Sequence, residues 1–138
     1  MTATNNTTAT LNDDIRALLS RPLHAWVTTL YPDGSPHSTL VWVDVDGDEV
    51  LFNTAVGRVK ERHLRRDPRV SVGVADPDNP YHLVSVTGTA TLQSEGADAH
   101  IDRLAKKYLG QDAYPFRQPG EQRVIVRIRP RKVIYSAG

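Results

Sequence analysis

The sequence predicts a mostly β domain with short helices, folded as a six-stranded antiparallel barrel. Three observations point there. Six segments are rich in β-branched and aromatic residues. Glycine- and proline-bearing turns separate several of them. An open sheet of six strands would also leave two unpaired edges, which closure removes. A chain of 138 residues is long enough for one core and short for two.

The elements follow in order. The opening MTATNNTTATLN is polar and without periodicity, so residues 1–12 read as a disordered tail. DDIRALLS (13–20) has acidic residues in its first turn and Ile15, Leu18 and Leu19 at helical spacing, and Pro22 stops it. HAWVTTLY (24–31) is a strand, and YPDGSP turns the chain. HSTLVWVDV (37–45) runs through DGD into EVLFNT (49–54), a hairpin pattern. A short basic helix over 58–66 ends before Asp67-Pro68. VSVGVA (70–75) places Val70, Val72 and Val74 on one face. After the loop DPDNP, YHLVSVTGTATL (81–92) is long enough to bend, with Gly88 marking a bulge or a close backbone approach. A helix over 97–109 aligns Ile101, Leu104, Ala105 and Tyr108. A Gly/Pro/Gln loop leads into RVIVRIRPRKVIY, where Val124, Val126 and Ile128 alternate with Arg123, Ile125, Arg127 and Arg129.

Composition excludes several classes. With 39% hydrophobic and 24% charged residues, the chain falls in the soluble globular range. No apolar run approaches the ~20 residues of a membrane span, and no signal-peptide core follows the start. Absent cysteines exclude disulfides and thiolate ligands and fit a reducing compartment. A net charge of +1 argues against a dedicated nucleic-acid binder. The expectation is a cytoplasmic protein with no membrane and no nucleic-acid partner.

The most informative stretch is GRVKERHLRRDPRV (57–70). Within it, Arg58, Lys60, Arg62, Arg65, Arg66 and Arg69 face only Glu61 and Asp67. A glycine turn before a helix start offers free N–H groups and a positive dipole end, which suit an anion. A solvated basic face would have the same composition, and charge alone leaves both readings open.

Catalytic motifs are sparse. His24, His37, His63, His82 and His100 are scattered without metal-ligand spacing, and no metal site is expected. Asp44, Asp46 and Asp48 sit at a hairpin tip, where turn chemistry explains them. No nucleophile elbow, P-loop or dinucleotide fingerprint occurs. Enzymatic reactivity here would come from a cofactor.

The blocks DGSPHSTLVWV (33–43), LFNTAVGRVKERHLRRDPRVSV (51–72), a V-x-G-x-A strand (86–90) and the closing RVIVRIRPRKVIY arrive in the order of a known family. Over residues 13–136 the chain resembles the split-barrel flavin and deazaflavin oxidoreductases, the pyridoxamine-phosphate-oxidase-like superfamily, and within it the branch using coenzyme F420. The resemblance implies an FMN-binding-type split barrel over 13–138, a homodimer with cofactor at the subunit interface. It also implies hydride transfer from reduced F420 to a small electron-poor acceptor. Arg58, Val59 and Lys60 would hold the phosphate or glutamate tail, and Asn53, Thr54 and Ala55 would approach the ribityl-phosphate arm. Pro36, His37, Ser38, Thr39 and Leu40 would lie along the ring. Tyr81, His82 and the arginines of the last strand would come from the other subunit, and His37 or Tyr81 would donate a proton. Trp26, Trp42, Tyr31 and Tyr81 could stack on the ring or pack in a core or dimer contact. The alternatives are an FMN flavoprotein of the same fold and a non-catalytic F420-binding protein. Basic residues beyond one phosphate pocket, Arg62, Arg65 and Arg66, favour F420.

Overall fold

A computed structural model describes residues 2, 3 and 9–138. Along the chain run β1 (Thr2–Ala3), α1 (Asp13–Leu19), β2 (Ala25–Leu30), β3 (Pro36–Val41), β4 (Val43–Asp46), β5 (Glu49–Ala55) and α2 (Val59–Arg66). The order continues with β6 (Arg69–Asp76), β7 (Asn79–Gln93), α3 (Ala97–Leu109) and β8 (Arg123–Ala137). Every pairing is antiparallel, in the order β3-β2-β6-β7-β8-β5-β4, and the two-residue β1 pairs with the far end of β8.

The six expected strands are seven, besides β1, because the run 37–45 breaks at Trp42 into β3 and β4. The break decides the architecture. β3 lies at one edge of the sheet and β4 at the other, and only Trp42 separates them in sequence. One stretch of chain therefore carries both edges, and the sheet curls into a half-closed barrel.

Two side chains of α3 hold the kink. The Tyr108 hydroxyl accepts from the Val43 N–H at 3.0 Å and donates to the Leu23 carbonyl at 2.7 Å. Lys107 Nζ donates to the carbonyls of Val43 (2.6 Å) and Leu19 (2.8 Å). These bonds satisfy backbone groups where the kink interrupts the ladder. The Trp42 ring stacks on Tyr108 with centroids 5.3 Å apart.

Strand alternation sorts the rest. Val27, Val43, Val50, Phe52, Val72, Val86, Val126 and Ile128 point into the barrel, and Leu18 and Leu19 of α1 pack in the same core. Leu51 and Ile125 alternate to the opposite face and pack with Ala97 of α3. The hairpin acids serve structure: Asp48 accepts from the Leu11 N–H at 3.1 Å, and Asp46 pairs with Arg127 at 3.1 Å. At Gly88 the β7–β8 register shifts, and a Cβ there would stand 2.0 Å from the Arg129 carbonyl oxygen. Bulge and close approach coincide.

The tail expected over 1–12 needs correction. Residue 1 and residues 4–8 lie outside the described residues, but Ala9 and Leu11 are buried in the core. The Asn12 side chain caps α1, accepting from the Ile15 N–H at 2.9 Å. The expected DPDNP loop is a tight turn, with β7 resuming at Asn79. Among the described residues, no helix is long and apolar enough to cross a membrane.

Replacing Tyr108 with Phe should destabilise the protein by about 1–3 kcal/mol, since it leaves the Val43 N–H and the Leu23 carbonyl without their partner. Urea denaturation measures this, and a loss under about 0.5 kcal/mol would mean that the hydroxyl does not hold the kink.

Candidate functional site

A cleft of about 170 Å³ opens beside the kink. Its apolar wall includes Leu40, Trp42, Ile101, Leu104, Tyr114 and Phe116, and Arg58, Lys60, Arg123 and Asn53 line the polar side. β3 supplies Leu40, and α3 supplies Ile101 and Leu104. The kink presents Trp42, β5 presents Asn53, the start of α2 presents Arg58 and Lys60, and β8 begins at Arg123. The β5–β8 register sets Ala55 opposite Arg123, so two sequence-distant basic sites meet at one end of a ladder.

The turn into α2 is built for an open helix start. Gly57 takes φ +94°, a conformation that favours glycine. The Arg58 N–H bonds the Ala55 carbonyl at 3.2 Å. Glu61 is buried and reaches back to the Gly57 N–H at 2.8 Å while also pairing with Arg65. No side chain caps the helix at Arg58. The first-turn acid is thus engaged away from Arg58 and Lys60.

Charge in the cleft is unbalanced. Among the described residues neither Arg58 nor Lys60 makes an ion pair. Burial lowers the pKa of the Lys60 ammonium, and the nearby Arg58 and Arg123 lower it further. Besides Glu61, the acid Glu121 lies close by, bonded to Arg123. Burial works against its carboxylate, but hydrogen bonds from Arg123 and the Gln118 N–H outweigh it and hold its pKa below the ordinary range. Arg123 is itself buried; its Nε donates to Asn53 Oδ1 at 2.8 Å and its guanidinium lies 5.1 Å from the Tyr114 ring centre. Three clustered cations beside Glu121 have the chemistry to complement an anion.

The sequence-predicted residues divide. Arg58, Lys60, Leu40 and Asn53 meet in the cleft, with Val59 at the first position of α2 and Ala55 at the end of β5. The Asn53 amide is engaged within the protein, donating to the Ala97 carbonyl at 2.9 Å. Thr54 alternates to the barrel interior, where its Oγ1 is buried without a partner. On β3, Pro36 is exposed, Ser38 bonds Thr28 at 2.8 Å, and Thr39 Oγ1 is buried and unpartnered. His37 Nδ1 is 3.1 Å from the Tyr31 hydroxyl, and its ring lies 5.5 Å from that of His63. His63 is buried against Thr29 at 2.8 Å. Burial holds its pKa below the ordinary histidine range, aided by Arg66, His37 and Arg62.

Tyr81 and His82 lie at the opposite end of β7 from Gln93, away from this cleft; Tyr81 is 73% exposed and His82 lies 3.3 Å from the Tyr135 hydroxyl. Arg65 and Arg66, read as extra cations for a longer tail, are engaged with Glu61 and the Leu30 carbonyl. The third cation is Arg123 of the same chain. Sequence reasoning assigned it to the other subunit, and the cleft-lining Tyr114, Phe116 and His24 it did not assign at all. Pairing EVLFNTA with the closing strand was the signal that could have found Arg123.

The sequence model of the pyridoxamine 5'-phosphate oxidase family matches residues 11–137, and the chain belongs to that family of flavin- and F420-dependent oxidoreductases. It is similar to an F420 reductase at 31% identity, with a TM-score of 0.75 over 87% of this chain and 95% of that one. A conserved hypothetical protein from Mycobacterium tuberculosis is 28% identical, with a TM-score of 0.73 over 95% of this chain and 87% of that one. The general stress protein 26 of Bacillus anthracis shares the fold at 16% identity, with a TM-score of 0.67 over 90% and 92% of the two chains.

Because burial lowers the Lys60 pKa, the unfolded chain holds that proton more tightly. As a cation Lys60 therefore destabilises the ligand-free fold at neutral pH, and this cost is relieved as pH rises through its lowered pKa toward 10.5. Lys60→Met should stabilise the ligand-free protein at pH 7 by on the order of 0.5–1 kcal/mol. Denaturation of both proteins from pH 7 to 10 tests it, and the gap should shrink at the alkaline end.

Proposed function

We propose that the protein is an F420H2-dependent reductase that passes a hydride to a small, electron-poor organic acceptor. The observation that carries this reading is the cluster of three cations, the exposed Arg58, the half-buried Lys60 and the buried Arg123, gathered at an uncapped helix start. A phosphate next to carboxylates, as at the glutamyl end of F420, suits three cations better than a single phosphate does. The F420 reductase at 31% identity over most of both chains supports the same choice. FMN in the same site is the alternative.

The donor set fits such a cofactor. Arg58, Lys60 and the N–H groups of the α2 first turn would hold its anionic end. As an edge strand, β3 leaves backbone N–H and C=O groups unpaired along one side, suited to line a planar ring. Trp42 and Tyr114 would wall the cleft and exclude water. When bound, the reduced deazaflavin supplies the hydride; the protein orients it toward the acceptor. His37, bonded to Tyr31, would hold the proton that completes the reduction.

The same reading makes the protein a homodimer. Small-molecule pockets span ~300–1,000 Å³, and the cleft in one chain is smaller. Trp26 and Leu40 are register partners on the outward face and are 56% and 52% exposed. A second copy covering this face would enlarge the cleft and bring its own Tyr81 and His82 near.

Fluorescence titrations with F420 and, separately, FMN test the cofactor. The expected result is micromolar or tighter F420 binding with weak FMN binding, followed by turnover of an acceptor panel with F420H2. Preference for FMN would move the protein to the flavin alternative, and F420 binding without turnover would make it a carrier. Lys60→Met should lose about 1.5–3 kcal/mol of F420 affinity, the usual worth of a charged hydrogen bond. Trp26→Asp should convert a dimer to a monomer in analytical ultracentrifugation, and a monomeric wild type would end the dimer proposal.

A further inference from the structure

His100 is completely buried on α3 and lies outside the cleft lining. Its surroundings determine its tautomer. Asn53 Nδ2 donates to the Ala97 carbonyl, which can only accept, and Asn53 Oδ1 accepts from Arg123 Nε, which can only donate. The amide orientation is thereby settled at both ends. The second Nδ2 hydrogen points to His100 Nδ1 at 3.1 Å, so that nitrogen must carry a lone pair. The ring hydrogen then sits on Nε2, which makes a long 3.5 Å contact with Asp44 Oδ2. From Asp44 through His100 and Asn53, a directed chain of contacts ends on Arg123, the buried cation of the cleft.

We propose that His100 is a positioning residue for the anion site: its unprotonated Nδ1 locks the Asn53 amide, and the locked Oδ1 fixes the Arg123 guanidinium for a ligand. This rests on reading the cleft as an anion site. Without the acceptor at Nδ1, Asn53 keeps only the Ala97 carbonyl as a partner for its amino group, and its oxygen swings more freely. Arg123 is then free to turn toward Glu121 alone, leaving Arg58 and Lys60 as the fixed cations.

Three substitutions separate this role from simple packing. Asn places an amide oxygen where Nδ1 stands; Gln reaches the Nε2 position instead; Leu offers no polar atom. The readouts are the Arg123 Nε–H signal in ¹H–¹⁵N spectra of ligand-free protein, assigned with Arg123→Lys, and F420 affinity. His100→Asn should keep the signal and bind F420 within about threefold of wild type, whereas His100→Gln and His100→Leu should broaden the signal and bind about tenfold more weakly, a loss of ~1.4 kcal/mol. A packing role would reverse this order, because Gln and Leu fill more of the buried volume than Asn does, and that result would overturn the proposal. A wild-type ¹⁵N spectrum showing hydrogen on His100 Nδ1 would also overturn it, even if no variant folded. If wild type bound no F420, the cofactor reading would fail while the Arg123 signal still judged His100.

Discussion

The fold depends on a bend that its own strand sequence does not encode. Residues 36–46 carry both edges of the sheet, and at Trp42 they turn from one edge to the other. A strand that turns so sharply leaves ladder groups open, and buried open groups are costly. Tyr108 and Lys107 supply the missing partners from one end of α3. Burial pushes the Tyr108 hydroxyl pKa up and the Lys107 pKa down, the latter opposed by Asp44, so both groups have traded water for these carbonyls and this N–H. Barrel curvature, the placement of α3 and the mouth of the cleft all follow from that corner.

The cleft shows the opposite balance. At the kink the Val43 N–H and carbonyl and the Leu19 and Leu23 carbonyls find partners on α3. At the start of α2, Glu61 is drawn back to Gly57 and Arg65, while Arg58 and Lys60 make no ion pair among the described residues. Packing cations together in partial burial works against folding. A protein keeps such an arrangement where a ligand completes it, and the natural complement is an anion. The nearby acid Glu121 is bonded to Arg123 and lies within the field of Arg58, but it forms no ion pair with Arg58 or Lys60.

Much of this could be read from the sequence. Alternation in VSVGVA put Val70, Val72 and Val74 inward, the 3.6-residue pattern over 97–109 matched α3 residue for residue, and Gly88 marked a real bulge. The basic corner was legible because glycine, cation and helix start are contiguous. What escaped was non-local. HSTLVWVDV contains no glycine or proline, and its apolar run from Leu40 to Val43 reads as continuous strand, so no turn residue within it signals a break; the partners that bend it lie about 65 residues away. Ala9 and Leu11 are isolated apolar residues in a polar stretch and have no period to betray their burial. Arg123 reaches the cleft only through strand register.

Strand β3 illustrates how closely the proposed roles are joined. Its outward side chains, Ser38 and Leu40, share a face with Thr28 and Trp26 and would meet a second copy. Its inward side chains, His37 and Thr39, stand over the interior near His63, and Thr39 Oγ1 waits there without a partner. Its free backbone edge is the part suited to a planar ring. Six residues thus offer three different surfaces, and period-2 geometry keeps them from interfering. In the proposed dimer, a change in packing at β3 would move the proposed ring site, while the Arg58–Lys60 corner lies on the separate helix α2. The proposed cofactor grip and the proposed ring placement would therefore rest on different elements, α2 and β3.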